Sequence, residues 1–456
     1  MGLVTVKGMD RKRFDALAGY SRDPLLAVIG IELAWFSNID ETILGVLVQD
    51  RFDRDFNAVL LCRDEARRFR AFDTAVSLKD KESAMVWLCD SIQKHTSGGL
   101  TTYPQGDDRK PIDLFTPVVP EERQHPYFTA LAGQAGFASA RGIINSMMPY
   151  FTDVDGNFVE QFQSTGFDAR VWELCLYAYL VEEQFVVSRE HNAPDFLVTK
   201  GSESVAIEAV TVGRADDDPP RCTAELAGDE TAREVADELT DAMPIRWGSP
   251  LYSKLKMKYW ELPHVAGNPL VFAVADFHDD QSMLWSSSAL IRYLYGVAHD
   301  HRFDGDGNLI ILPRPIGTHK VGDKEIPSGF FFQPDAEYIS AVLSSASGTV
   351  SKFNRMGRQA GFKAPNTRLI RTGKCYDHDP NAALPKDFEY EVNEESEETW
   401  AEGFSMLHNP EAKQPVPEEL FPSIAHHHFR DGQIYSSMPE FHPYASITIR
   451  FENDPT

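Results

Sequence analysis

Three acids, Glu173, Asp195 and Glu208, stand in an otherwise strongly apolar stretch, FDARVWELCLYAYLVEEQFVVSREHNAPDFLVTKGSESVAIEAVTV, residues 167–212. A carboxylate buried without a partner costs several kcal/mol, so each must be paired, protonated or bound to a cation. Converging carboxylates offer hard oxygen donors of the kind Mg²⁺ and Mn²⁺ take. Each acid also has a plainer explanation. Glu173 sits one turn after Arg170, Asp195 suits a turn or cap, and Glu208 can meet a buried base.

The elements that must position these acids are legible. Residues 171–181 are apolar nearly all round, as in a helix buried in a core, and they carry Glu173. Residues 185–188 read as a short strand, and Pro194-Asp195 opens a second at 196–199. Gly201-Ser202 supplies the turn. Residues 205–212 form a β-branched strand apolar on both faces, hence central, and carry Glu208. Asp195 and Glu208 then converge across a hairpin, and Glu173 joins them if its helix packs on that sheet. Further on, 250–262 reads as a helix, 269–277 as an internal strand with Asp276 near its end, and 285–298 as a helix. Strands are expected at 309–312, 329–332 and 338–343. The order is α-β-β-β-α-β plus an extension, an α/β fold (α+β overall) with a mixed central sheet and flanking helices.

On Glu173, Pro194, Asp195 and Glu208, in that order of elements, the segment resembles the core of the PD-(D/E)xK, or restriction-endonuclease-like, nuclease superfamily. The likeness covers residues 167–345 or so. It implies a Mg²⁺ or Mn²⁺ site built by Asp195, Glu208 and Glu173, and hydrolysis of phosphodiester bonds by an endonuclease acting on DNA. Such cores occur in restriction, repair and defence systems. The family motif places a lysine two residues after the second acid; here that position is Val210. The alternative is a core that binds nucleic acid or a protein partner without cleaving.

In some members of the family the lysine comes from a neighbouring helix. The 250–262 helix supplies Lys254, Lys256 and Lys258. At about 100° per residue, Leu251, Leu255, Tyr259 and Leu262 form one apolar stripe, with Lys258 about 55° from its centre and Lys254 and Lys256 about 95° to 105° away. Lys258 is therefore expected to bring its ammonium to the acids, with Lys254 in reserve and Lys256 in solvent.

The rest of the chain bounds the reading. A net charge of −25 opposes non-specific binding to phosphate. Residues 351–374 carry seven basic residues and no acid, with Phe353 and Phe362 interleaved. Arg355, Arg358 and Arg371 are expected to contact phosphate; otherwise the segment neutralises the nine acids of 377–398. Residues 1–110 read as a smaller α/β domain with strands at 43–48, 58–62 and 69–72 and a helix at 83–93, a place for a protein partner or a second copy. Glu32 and Trp35 suggest a pocket there or simply core. Residues 111–165 read as linker and helical lead-in, 166–375 as the nuclease-like core with its basic segment, and 376–456 as a loop-rich extension. An acidic helix is expected at 224–242 after the breaker at 216–220. Asp153 to Asn157 and Asp304 to Asn308 miss calcium-loop spacing and read as turns. His426, His427 and His428, with His442, invite zinc, but alternation on a strand lets only two of the three converge. Five scattered cysteines without a CxxC point to a reducing cytoplasm. No secretory h-region or membrane-length apolar run is present. Nucleotide-binding glycine loops and the GxSxG elbow are missing too.

Overall fold

The computed structural model describes residues 5–106, 110–213, 242–278, 283 and 286–452. The breaker at 216–220 and nearly all of the expected 224–242 helix lie outside them. The chain divides into two compact units. One comprises Met1–Ser164, Phe353–Pro365 and Asn393–Glu397; the other comprises Thr165–Lys352, Asn366–Val392 and Glu398–Thr456.

In the first unit β1 (Val6–Met9), β2 (Gly30–Asn38), β3 (Ile43–Asp50), β4 (Phe56–Arg63) and β5 (Phe69–Leu78) form an antiparallel sheet in sequence order. Its helices are α1 (Arg11–Ala18), α2 (Leu26–Ile29) and α3 (Lys81–Ser97). Alternation along β3 explains why both sheet faces are covered. Leu44, Val46 and Val48 pack with Phe14 and Leu17 of α1, while Ile43 and Leu47 pack with Leu88 and Ile92 of α3. Gly45 lets α3 approach: a Cβ there would meet Leu88 at 2.5 Å. The lead-in helices α4 (Pro126–Gly133), α5 (Ala138–Met147) and α6 (Phe158–Gln163) belong to this unit.

The second unit opens with α7 (Phe167–Glu182), then β6 (Val186–Ser188), β7 (Phe196–Lys200) and β8 (Glu203–Val212) as an antiparallel meander. After α8 (Met243–Leu255), β9 (Leu270–Asp276) lies parallel to β8. Next come α9 (Ser286–Tyr295), the hairpins β10 (Val297–Phe303) with β11 (Leu309–Pro315) and β12 (Thr318–Val321) with β13 (Lys324–Pro327), then β14 (Ala341–Ser345), parallel to β9. The chain then forms α10 (Val350–Gln359), which from Phe353 on belongs to the first unit, and back in the second unit β15 (Thr367–Cys375) and β16 (Lys386–Glu391) pair in a small sheet. Then β17 (Phe404–His408), β18 (Ala425–Arg430) and β19 (Gln433–Ser437) extend the main sheet, and β20 (Pro443–Glu452) returns to β15. The result is an eight-stranded mixed sheet, ordered β19-β18-β17-β14-β9-β8-β7-β6, flanked by helices.

Three expectations are corrected. Residues 330–332 form a 3-10 turn, because Phe330 and Phe331 bury in the core directly after Gly329 at φ 76°. The region after 376 adds three strands to the main sheet. The helix read as 250–262 runs from Met243 to Leu255, with Pro250 inside it. Its buried stripe is Met243, Trp247, Leu251 and Leu255, packed in one core cluster with Val210, Phe272 and Val274.

Candidate active site

The β7–β8 register pairs Phe196 with Ile207, which sets Asp195 opposite Glu208. The backbone ties the two acids together. The Asp195 N–H donates to Glu208 Oε2 at 3.3 Å, and the Ala209 N–H donates to Asp195 Oδ2 at 2.8 Å. Asp195 has no ion pair among the described residues. Helix α7 is fixed to the sheet by Trp172, whose Nε1–H donates to the Ala273 carbonyl at 2.9 Å. Glu173, on the same helix, is buried and feels the Asp195 charge.

Glu173 is held by two arginines. Arg170 Nη1 lies 2.5 Å from Oε1, and Arg189 Nη2 lies 2.8 Å from Oε2. Burial, and next the Asp195 charge, push the Glu173 carboxyl up to about 7 in spite of both guanidinium groups. Glu208 is also raised, by burial first and Asp195 second, against the pull of Lys254 and Tyr259. Its Oε1 accepts from the Lys254 ammonium and, at 2.9 Å, from the Tyr259 hydroxyl. Burial and the Glu208 charge raise Tyr259, keeping it a donor at neutral pH.

Helix α8 therefore delivers Lys254, not Lys258. Lys254 follows Leu251 by three residues, about 60° round the helix from it, and its side chain is one-third exposed. The helix ends at Leu255, and Lys258 takes a left-handed conformation at φ 51°. Its amine lies 3.8 Å from both Glu261 and Asp335. Lys256 is exposed, as expected.

The basic segment is largely spent on internal pairing. Arg355 is buried. Arg371 is fully buried, with Nη1 2.7 Å from Glu402, 3.3 Å from Glu398 and 3.0 Å from the Tyr390 hydroxyl. Lys352 is also buried and donates to the Trp400 and Glu402 carbonyls. Arg368 pairs with Glu391 and Lys374 with Asp387. The segment thus neutralises the acids that follow it, which removes Arg355 and Arg371 as surface phosphate contacts; Arg358 is half-buried.

Among the described residues, one three-acid group has its ligand atoms all within 4.8 Å, and it is Asp50, Asp53 and Asp55 in the β3–β4 turn. Glu173, Asp195 and Glu208 are not so closely grouped. Asp153 and Asp304 accept from N–H groups of their own turns, as expected. Glu32 joins Arg22 and the Trp35 indole N–H, an internal network within the first unit. Asp276 caps its strand and contacts His278 Nδ1 at 2.7 Å. His426 and His428 share a face of β18 with His408 of β17. His408 Nε2 is 2.9 Å from His426 Nδ1, and the His408 and His428 rings stack at 4.1 Å. His427 faces the other way, 2.7 Å from the Ser436 hydroxyl. The sequence reading missed Tyr259 and Arg189. Tyr259 had a signal, since it fell on the predicted apolar stripe, and a hydroxyl there must find a partner. Arg189 lies in a loop whose path the sequence does not specify.

No family model, curated protein or solved structure matches the chain. No helix of the described residues is long and apolar enough to cross a membrane.

The donor set suits a hard cation on two counts. Asp195 and Glu208 are carboxylates joined across one hairpin, and among the described residues Asp195 has no ion pair. Burial first, and the Asp195 charge second, raise both Glu173 and Glu208.

Proposed function

We propose that this chain is a divalent-metal-dependent nuclease that hydrolyses phosphodiester bonds in DNA. Asp195 and Glu208 would hold the cation, with Glu173 reaching it directly or through a water. The observation that carries the reading is the Lys254 ammonium on Glu208, a cation brought from α8 to the acids where Val210 cannot supply one. The order α7-β6-β7-β8-α8-β9, with β9 parallel to β8, adds weight. A Mg²⁺ or Mn²⁺ ion bound there lowers the pKa of a coordinated water and polarises the phosphate. The protein's own groups do the rest. Lys254 offsets negative charge as it builds on the phosphate, and Tyr259 fixes the Glu208 carboxylate. The four described cysteines are free, which suits a reducing cytoplasm.

The test is cleavage of supercoiled plasmid with Mg²⁺ or Mn²⁺ and with EDTA. Wild type should cut only with metal. Asp195→Ala and Glu208→Ala should each abolish cutting while leaving a cooperative melt. A second reading, a binding core without catalysis, draws on the full pairing of Glu173 by Arg170 and Arg189. Salt-sensitive DNA binding with no metal-dependent cutting by wild type would select it.

A further inference from the structure

The histidines of β17 and β18 lie beside a cavity of about 370 Å³ that the nuclease chemistry does not use. The two strands are parallel, so residues 409–424 must carry the chain back from the end of one to the start of the other. That connection brings Glu418, in a 3-10 turn, to β18, where its Oε1 lies 2.7 Å from His428 Nε2. The register pairs Leu407 with His427, which sets His408 beside His428, and their rings stack at 4.1 Å. His408, His428 and Glu418 all line the cavity.

Hydrogen bonding fixes which nitrogen of His408 is open. His426 Nε2 is 2.9 Å from the Phe421 carbonyl, which can only accept, so that nitrogen carries the proton. In the neutral ring His426 Nδ1 then accepts, and the proton shared across 2.9 Å belongs to His408 Nε2. His408 Nδ1 keeps its lone pair and has no hydrogen-bond partner among the described residues. Metal-binding histidines take this form: one nitrogen donates to a fixed acceptor and the other is offered to the ion.

We propose that His408 Nδ1, the His428 imidazole and the Glu418 carboxylate bind Zn²⁺, with the cavity giving room for a water or a small ligand at the open position. Two imidazoles and one carboxylate are a zinc donor set. Imidazole nitrogen separates it from the all-oxygen acids of the β7–β8 hairpin, which suit harder cations. The ligand atoms of the three residues do not lie within 4.8 Å of one another before the ion enters. Closure falls to His428 and Glu418, which already meet and whose side chains are 24% and 44% exposed, while the buried His408 stays where His426 holds it. The bound ion ties the 409–424 connection to the sheet. The site shares no residue with Asp195 and Glu208, so it stands whether or not the chain is a nuclease.

The full chain, freed of metal with EDTA and dialysed, tests this in excess Mg²⁺, with Zn²⁺ titrated against a chromophoric chelator and Co²⁺ followed by visible absorption. Wild type should take up a single Zn²⁺ tightly enough to compete with the chelator, and Co²⁺ should give the intense bands of a four- or five-coordinate ion. Glu418→Gln and His428→Asn, both at the cavity mouth, should each weaken Zn²⁺ binding by at least about tenfold, and His408→Gln should do the same. Asp195→Ala should bind Zn²⁺ as wild type does. If His408→Gln fails to fold, the two variants at the mouth decide. Absence of competition by folded wild type overturns the proposal. Wild-type affinity in both Glu418→Gln and His428→Asn also overturns it, since the ion is then held elsewhere, as by the free cysteines. Loss of Zn²⁺ in Asp195→Ala with retention in those two variants assigns the ion to the β7–β8 hairpin and overturns it as well.

Discussion

At the residue scale the site turns on what each acid is paired with. Lys254 meets Glu208 and stands where charge would build on a phosphate. Loss of one such group costs about 10²–10³ in rate. Lys254→Ala should therefore cut plasmid cleavage by about that factor in a protein that still melts cooperatively, because Tyr259 and the Asp195 N–H continue to hold the buried Glu208. An effect on cleavage under about threefold would remove Lys254 from the chemistry. Glu173 stands differently. Both its oxygens are taken by guanidinium groups, so Glu173→Ala takes a shared partner from two half-buried arginines. Breaking a buried pair from one side costs about 3–5 kcal/mol, and urea unfolding of Glu173→Ala should show a loss of that size. A neutral result would mean that the arginines find other partners. The acids themselves were legible in the sequence because they interrupt apolar runs. Their partners were legible only in part: Arg170 follows from helical spacing and Lys254 stood in reserve, whereas Tyr259 and Arg189 come from segments whose paths the sequence does not fix.

The element scale explains the misplaced lysine. Proline favours the first turn of a helix, so Pro250 reads as a start. The helix begins seven residues earlier, at Met243, and stops at Leu255. The stripe through Leu251 and Leu255 was legible from spacing, and so was its burial. The angle assigned to Lys258 was not, because a helical step has no meaning beyond the helix end. The central meander fared better: its alternation and turn residues put Asp195 and Glu208 side by side, as the register does. The basic segment misled through composition. Clustered charge on a sequence does not say whether the cations face water or the nine acids that follow; the fold buries Lys352, Arg355 and Arg371 and pairs the exposed Arg368 and Lys374 with acids of that stretch. Arg371→Ala should therefore act on stability. It takes from Glu402 its guanidinium partner and leaves Glu398 the more distant Lys352, and should cost about 3–5 kcal/mol, while DNA affinity per folded molecule stays at the wild-type value. A variant with normal melting and weakened DNA binding would restore the phosphate-contact role.

At the scale of the whole molecule, the main sheet is wider than the sequence suggests, and its added strands are rich in histidine. AHHHFR at β18 lacks the apolar alternation of a strand, so it does not announce itself. The better signal was Asp431-Gly432, both at positive φ, the pair that suits a tight hairpin between β18 and β19. Burying imidazoles makes stability depend on pH. Burial, followed by repulsion from neighbouring histidines, takes His408 and His427 down to about 3, and burial takes His442 to about 4. The unfolded chain binds their protons near the ordinary value of about 6.5. Stability from these groups is present above that value and is lost as pH falls below it, since the unfolded state then holds more protons. Glu173 runs the other way, because its raised carboxyl takes up a proton in the folded state first. A comparison with a variant cancels such background terms. At pH 5 the unfolded state has gained about 1.5 pH units of protonation energy per buried imidazole, which at 1.36 kcal/mol per unit is about 2 kcal/mol. His427→Asn keeps a polar group near Ser436 and removes the titration. Between pH 7.5 and pH 5, wild type should lose about 2 kcal/mol more stability than His427→Asn, measured by urea unfolding at each pH. Parallel pH profiles for the two proteins would mean that His427 keeps an ordinary affinity for protons in the folded state, and that this edge of the sheet opens to water.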